Sequence, residues 1–357
     1  MNPAGTEAIT FSSAMQKFGK TGVKLLALVV VGIGPLALAA ALWWPASLSI
    51  VAFGAIVGLA AAIGRGFSVG AKFATIFAIA GTLATAVHGG SALLAALLVA
   101  VMSLLVAFYA TKGQAGTMMI AALLIPYIIH APAENLSSTG TASSEFVYLL
   151  STFVVLLVSG VYGAFIAAWL IKLPAAHETP EVPSVSAATL YGILLAISTG
   201  ALTFIALTWF SDTLWMWLPM TIYILTKPTL HLDYRMIRDR CLGTTIGTLI
   251  AGAIVEVVAS QGVLYVLGML LATAALTLKS EQSPYWMYAS ALTPAVVFFD
   301  SAGASQIDVA GQRLGFTIAG AAIALLIGVV TNLIVRTARS TSTTAGADAT
   351  DVVSDLA

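Results

Sequence analysis

Ser91–Ala110 reads SALLAALLVAVMSLLVAFYA, twenty residues without a charge, closed by Thr111-Lys112. At a rise of about 1.5 Å per residue such a run makes a helix of about 30 Å, the thickness of a bilayer's hydrocarbon core. Comparable runs recur near 25–42, 46–63, 73–88, 116–130, 146–171, 187–209, 213–226, 242–259, 262–278, 284–299 and 313–335. Together they predict an all-α, polytopic transmembrane bundle of about twelve spans. The eighth is the shortest, because Lys227-Pro228 closes it abruptly.

Composition agrees. The chain is 59% hydrophobic and only 8% charged, with a mean hydropathy of +1.00, whereas a soluble domain carries about 25% charged residues to cover its exterior. Lipid is the solvent these numbers require. A formal net charge of +0 offers no basic surface for nucleic acid. The single cysteine, Cys241, has no second thiol for a disulfide or a metal site. The run 25–42 lacks a small-residue cleavage site and is followed at once by another span, so it reads as a retained first helix.

Charge placement sets the orientation. With a cytoplasmic N-terminus, the inner loops hold Arg65, Lys72, Lys112, Lys172, Lys227, Arg235, Arg238, Arg240 and Lys279. The tails add Lys17, Lys20, Lys24, Arg336 and Arg339, leaving Arg313 alone outside. That asymmetry is what the positive-inside rule requires of an inner membrane protein with both termini in the cytoplasm.

The expected organisation is a cytoplasmic segment 1–24, a six-helix half 25–172, a Pro-containing linker 173–186, a second six-helix half 187–336 and a disordered cytoplasmic tail 337–357. Gly81-Thr82-Leu83 recurs as Gly247-Thr248-Leu249, and Leu124-Ile125-Pro126 recurs as Leu292-Thr293-Pro294. Because each half has an even number of spans, such repeats share one orientation and are related by an axis along the membrane normal.

The ninth span begins Arg240-Cys241-Leu242-Gly243-Thr244-Thr245-Ile246-Gly247, of the form R-x-x-G-T-x-x-G, with Trp217, Pro219 and Pro228 upstream and Arg313 opening the last span. From about Trp215 to Val335 this resembles the fusaric acid resistance and aromatic acid exporter (FUSC-like) family of integral membrane transporters. The resemblance implies export of aromatic or other hydrophobic carboxylic acids, linked to the proton-motive force, beside a periplasmic adaptor protein. Many family members carry a large cytoplasmic domain after each half; the short segments 173–186 and 337–357 depart from that plan.

Read physically, Arg238 and Arg240 stand where a helix N-terminus already favours an anion. Arginines at such ends also snorkel and set orientation, and both readings stay open. Thr244 and Thr245 supply hydroxyls, and Gly243 and Gly247 allow close helix approach. Glu256, about a turn inside the ninth span, joins Asp300 and His88 as a candidate proton carrier. Arg313, at the outer mouth, could meet an outgoing anion or pair with Asp300, Asp308 or Glu145. Pro126 and Pro294 interrupt corresponding helices, a feature of transporter binding sites and of simple kinks alike. Trp217 or Trp286 could stack on an aromatic substrate, although tryptophans ordinarily mark the membrane interface. There is no GxxxxGK[ST] phosphate loop and no nucleophile–base pair, so the sequence points to no enzyme, catalytic residue, cofactor or metal. A major-facilitator-type carrier is the rival transporter, weakened because 64–72 has no Asp; a non-transporting membrane scaffold is the rival class.

Overall fold

The computed structural model describes residues 11–43, 47–63, 65–131, 142–170, 182–229, 233–300 and 306–354. Residues 1–10 of the expected N-terminal segment, 173–181 of the linker and 355–357 of the tail lie outside them. The side chain of Asp300 does too, as do those from 334 onward.

Among the described residues the chain is all-helical, with no strand. The helices are α1 (Phe11–Trp43), α2 (Leu48–Ala62), α3 (Phe67–Val87), α4 (Ala92–Ala110), α5 (Ala115–His130) and α6 (Ala142–Leu170), then α7 (Val185–Trp209), α8 (Trp217–Leu225), α9 (Tyr234–Val257), α10 (Gln261–Ser280), α11 (Tyr285–Asp300) and α12 (Gln306–Ser354). Helix is the form that pairs every backbone N–H and C=O within one segment, which lipid demands. Short reversals separate the early helices, and Gly89 and Gly113 turn them with positive φ, 65° and 66°.

Eight of the helices contain stretches long and apolar enough to cross a membrane, while α2 and α5 are shorter apolar helices. The segment expected as the eighth span is helical only over the nine residues of α8, a length of about 14 Å, roughly half a hydrocarbon core. At its far end α12 runs on to Ser354, past the point where the apolar window stops.

The surface is inverted relative to a soluble protein. Leu38, Leu97, Val101, Ile197, Leu249 and Leu326 are exposed, whereas Ser103, Thr199, Thr203, Arg240, Thr244, Arg313 and Thr317 are buried. Lipid can take the first group; the second needs partners inside.

Small residues set the tightest contacts. A Cβ on Gly58 would meet the carbonyl of Gly160, and one on Gly163 would meet the carbonyl of Ala55, so α2 and α6 touch backbone to backbone. Gly320 of α12 does the same for α8, with a built Cβ 2.7 Å from Thr221 Cβ.

Among the described residues, five helix contacts of the first six helices have counterparts in the last six, while others, α2–α3 among them, do not. The pairs α2–α6, α3–α6, α3–α5, α4–α5 and α1–α2 have counterparts in α8–α12, α9–α12, α9–α11, α10–α11 and α7–α8. Contacts α1–α10 and α4–α7 cross between the two sets. At the second crossing a buried hydroxyl knot joins them: Ser103 Oγ lies 2.8 Å from Thr199 Oγ1 and 2.7 Å from Tyr223 Oη, and Tyr223 also donates to the Val99 carbonyl at 3.1 Å.

Candidate functional site

The site grows from the start of α9. Asp233 caps the helix, accepting from the Met236 N–H at 3.0 Å while Lys227 donates to its other oxygen at 2.9 Å. The Lys227 ammonium, followed by the Met236 N–H, holds the Asp233 carboxyl below its usual range. From there Arg240, Gly243, Thr244, Gly247 and Ala251 form the buried face of α9, a spacing of three and four residues that lines up one side of a helix.

The two glycines decide what that face meets. A Cβ on Gly243 would strike the Trp286 carbonyl and come within 2.6 Å of Ala289 Cβ; one on Gly247 would lie 2.6 Å from Thr293 Cβ and 2.8 Å from the Ser290 carbonyl. The proline at 294 has no N–H to offer that carbonyl, and it is against this opened turn of α11 that Gly247 packs. Close approach of α9 and α11 brings Arg240 to the tyrosines of α11.

Arg240 is 1% exposed. Its Nη1 donates to Tyr285 Oη at 3.4 Å, a long bond, and its Nε has no hydrogen-bond partner. Arg238 goes elsewhere: it is on the outside of α9 and donates to Asp239 Oδ1 from Nη2 at 2.8 Å and from Nε at 3.2 Å. Asp239 is itself buried, but its charge is taken up by Arg238. Among the described residues no carboxylate pairs with Arg240.

The rings of Tyr285 and Tyr288 meet at a 43° tilt with centroids 5.5 Å apart, and Tyr288 lies within the electrostatic reach of both Arg240 and Arg313. Arg313, expected at the outer mouth of the last span, is in fact 1% exposed. Its guanidinium carbon sits 3.8 Å from the centroid of the Trp217 ring, a cation–π contact in a dry interior. The correction has a simple cause: Gln306–Arg313 already forms the first two turns of α12, so Arg313 lies about 10 Å in from the helix start. Gln312 accepts from the Leu214 N–H at 2.8 Å, fixing the approach to α8 and its Trp217.

Several hydroxyls near the arginines are left without a partner, as are Thr152 on α6 and Tyr191 on α7. Thr221, Thr245, Thr273, Thr277, Thr293 and Thr331 each donate to the carbonyl four residues back, the ordinary resting state of a helical threonine. Thr244 and Thr248 on α9 and Thr317 on α12 have no hydrogen-bond partner though buried, nor does Trp217 Nε1. Each of these lies one or two turns from an arginine, or under it. Such groups are costly to leave empty, and here they gather where α8, α9, α11 and α12 meet.

The other expected positions fall away from this cluster. Thr245 is committed to the Cys241 carbonyl at 2.9 Å. Glu256 is exposed at the penultimate residue of α9, not a turn inside it, because the helix stops at Val257. His88 caps α3, exposed, with Nδ1 2.7 Å from the Ile129 carbonyl. Pro126 is buried within α5 and Pro294 within α11, and only the second borders the cluster. Trp286 contributes its carbonyl to the Gly243 contact. Reading residue types missed Tyr285, Tyr288 and Asp239; the spacing Tyr285-x-x-Tyr288 beside the basic Lys279 was the signal for the tyrosines, and the place of Asp239 between Arg238 and Arg240 the signal for the carboxylate.

Residues 201–327 match the family model described as fusaric acid resistance protein-like. The matched stretch contains Trp217, Arg240, Thr244, Thr248, Tyr285, Tyr288, Arg313 and Thr317, and over it the chain is similar to that family. No curated protein and no solved structure matches the chain.

Proposed function

We propose that this membrane protein is a secondary exporter of small hydrophobic or aromatic organic anions. The likeness to the fusaric acid resistance family over 201–327 supports a membrane transporter. The observation that carries the anion is Arg240, a buried cation with no carboxylate beside it among the described residues. A planar guanidinium grips a carboxylate bidentately. The idle hydroxyl of Thr244, one turn along α9, can donate to the same oxygens, and the ring of Tyr288 can flank an apolar body. Arg313, which like Arg240 acts electrostatically on Tyr288, is in this reading the next positive station on the way out.

In this reading the protein lies in the inner membrane with both termini cytoplasmic, as the loop charges favour, and is built as two six-helix parallel repeats, 25–172 and 187–336. The recurring helix contacts support the repeats, and so does the placement of short α2 and α8, and of proline-bearing α5 and α11, at matching positions. Paired short or interrupted segments of this kind border the central site in many transporters. α8 then spans together with the non-helical residues before it.

The driving force follows from charge. An anion leaving an inside-negative cell gains about 2.3 kcal/mol per 100 mV, so the electrical part of the proton-motive force suffices and no proton need travel on Glu256, Asp300 or His88. A periplasmic adaptor protein belongs to the same reading as a partner. We assign the chain no catalytic role and no cofactor. The test is efflux of preloaded benzoate from vesicles at matched protein levels, with the potential set by a potassium gradient and valinomycin. Efflux is expected to grow with the imposed potential and to fall in the order wild type, Arg240→Lys, Arg240→Gln. Equal rates from all three would remove the anion site.

A further inference from the structure

Between Glu7 and Glu134 the sequence has no Asp or Glu, yet it carries Arg65, Lys72 and Lys112 on the side that the loop charges make cytoplasmic. The fold gathers these three cations around the turn between α4 and α5. Arg65 Nη2 donates to the Gly113 carbonyl at 3.5 Å, a long bond, and Lys72 Nζ to Gln114 Oε1 at 3.0 Å. Lys72 and Lys112 also sit over one shared ring, that of Tyr109, 4.9 and 5.6 Å from its centroid. All three residues are exposed, and among the described residues none of them pairs with a carboxylate. A carbonyl, an amide and a ring face hold like charges together without neutralising them. Fixing the topology requires positive charge on this side, but not its convergence on one turn.

An apolar groove opens next to Arg65. It has a volume of about 500 Å³ and is lined by Phe67 of α3 and by Leu157, Val158, Val161, Tyr162 and Phe165 of α6, within the size range of ligand sites. Phe67 is two residues past Arg65. A Cβ on Gly70 would come within 2.6 Å of Ala164 Cβ, so the two helices touch there and the larger side chains stand out as walls. Tyr162 is fixed from behind: its hydroxyl donates to the Val31 carbonyl of α1 at 2.9 Å, the acceptor that Pro35, lacking an N–H, leaves unpaired. From Phe165 to Leu157 the groove follows α6 for about 12 Å, close to the hydrocarbon depth of one leaflet, about 15 Å.

We propose that the three cations and this groove form a binding site for one anionic phospholipid of the cytoplasmic leaflet. The headgroup phosphate lies at Arg65, at the mouth of the groove, with Lys72 and Lys112 completing the positive field, and one acyl chain lies along α6. Charge complementarity selects the lipid: a net-negative headgroup offsets cations that the protein leaves unneutralised, whereas a zwitterionic one brings its own cation. The site stands on the membrane spans and the cation cluster, and it does not rest on the exporter reading. Its residues are distinct from those around Arg240.

The test is native mass spectrometry of the full-length protein in detergent, titrated with phosphatidylglycerol or with phosphatidylcholine of identical chains, reading the affinity of the first bound lipid. Phosphatidylglycerol is expected to bind about tenfold more tightly than phosphatidylcholine. Arg65→Gln, Lys72→Gln and Lys112→Gln should each weaken phosphatidylglycerol binding about fivefold and leave phosphatidylcholine unchanged. Arg235→Gln, which removes an exposed cation of α9, should alter neither lipid. Val161→Trp fills the groove and should weaken both lipids about threefold or more. Phe165→Ala, at a wall position that is 54% exposed, removes a chain contact without burdening the fold and should act in the same direction. Equal affinity of wild type for the two lipids, or phosphatidylglycerol binding unchanged in the three glutamine variants, would overturn the site. So would an Arg235→Gln loss as large as that of Arg65→Gln, which would leave only general surface charge, or unchanged binding in both groove variants.

Discussion

Replacing Arg240 by Met should make the protein more stable and unable to export. Methionine nearly matches the arginine stem in length and bends to fit, but carries no charge. An arginine inside a membrane helix costs about 2.5–3.5 kcal/mol on insertion scales. Against this the structure sets one hydrogen bond, Nη1 to Tyr285 Oη at 3.4 Å, worth about 1 kcal/mol at most. Arg240 is six residues beyond Tyr234, the first residue of α9, about 9 Å along the axis, so the lower end of the insertion cost applies. The balance is a gain of about 1–2 kcal/mol in unfolding free energy for Arg240→Met. The assay is equilibrium unfolding in mixed micelles, with and without benzoate. Wild type should be stabilised by the ligand, by about 2.7 kcal/mol at a hundredfold excess over Kd, and Arg240→Met should gain nothing from it. A loss of about 3 kcal/mol or more in the ligand-free variant would mean that the arginine has a buried structural partner. That result, or equal stabilisation of both proteins by benzoate, would refute the reasoning.

Two further outcomes follow from the helix contacts and the cap. Gly243→Ala should lose about 1–3 kcal/mol of stability through overpacking against α11, whereas Gly252→Ala, where a Cβ meets nothing within 4 Å, should gain about 0.5–1 kcal/mol from helix propensity; the same micelle unfolding measures both. Because the folded state lowers the Asp233 pKa, its stabilising effect is present above the ordinary carboxylate pKa and is lost as pH falls through the depressed folded value. The hydrogen-exchange protection factors of Met236 and Ile237, taken against the intrinsic rate at each pH, should therefore fall below about pH 4, and Asp233→Asn should flatten that dependence.

Much of the fold was legible because lipid imposes a simple rule on every segment. Runs such as Ser91–Ala110 declare themselves by length and lack of charge, and α4, α7 and α10 fall close to their apolar windows. The rule fails at α8: hydropathy cannot tell a nine-residue helix with an irregular approach from a full span. It fails again at Arg313, which a window centred on apolar residues pushes to the boundary, although the helix starts two turns earlier at Gln306. Arg240 was visible as a motif residue, but its burial was not. Residues two apart on a helix point about 200° apart, so Arg238 and Arg240 cannot share a face, and only packing against Gly243 and Gly247 decides which of them turns inward. Tyr285 and Tyr288 were hidden for a related reason, since aromatic residues near a span end ordinarily read as interface markers.

The crossing of α1 to α10 bears on how the chain is made. α1 is synthesised first, yet one of its contacts cannot form until Gln261–Ser280 has been translated, roughly 10–40 s later at ordinary elongation rates. During that interval the α1 surface destined for α10 faces lipid or an insertion factor, and α1 is held through its contacts with α2 and α6. A ribosome stalled within α9 would therefore leave a recognisable substrate for membrane quality control, with α1 loosely held and Gly22, which faces Thr277 in the finished protein, still uncovered.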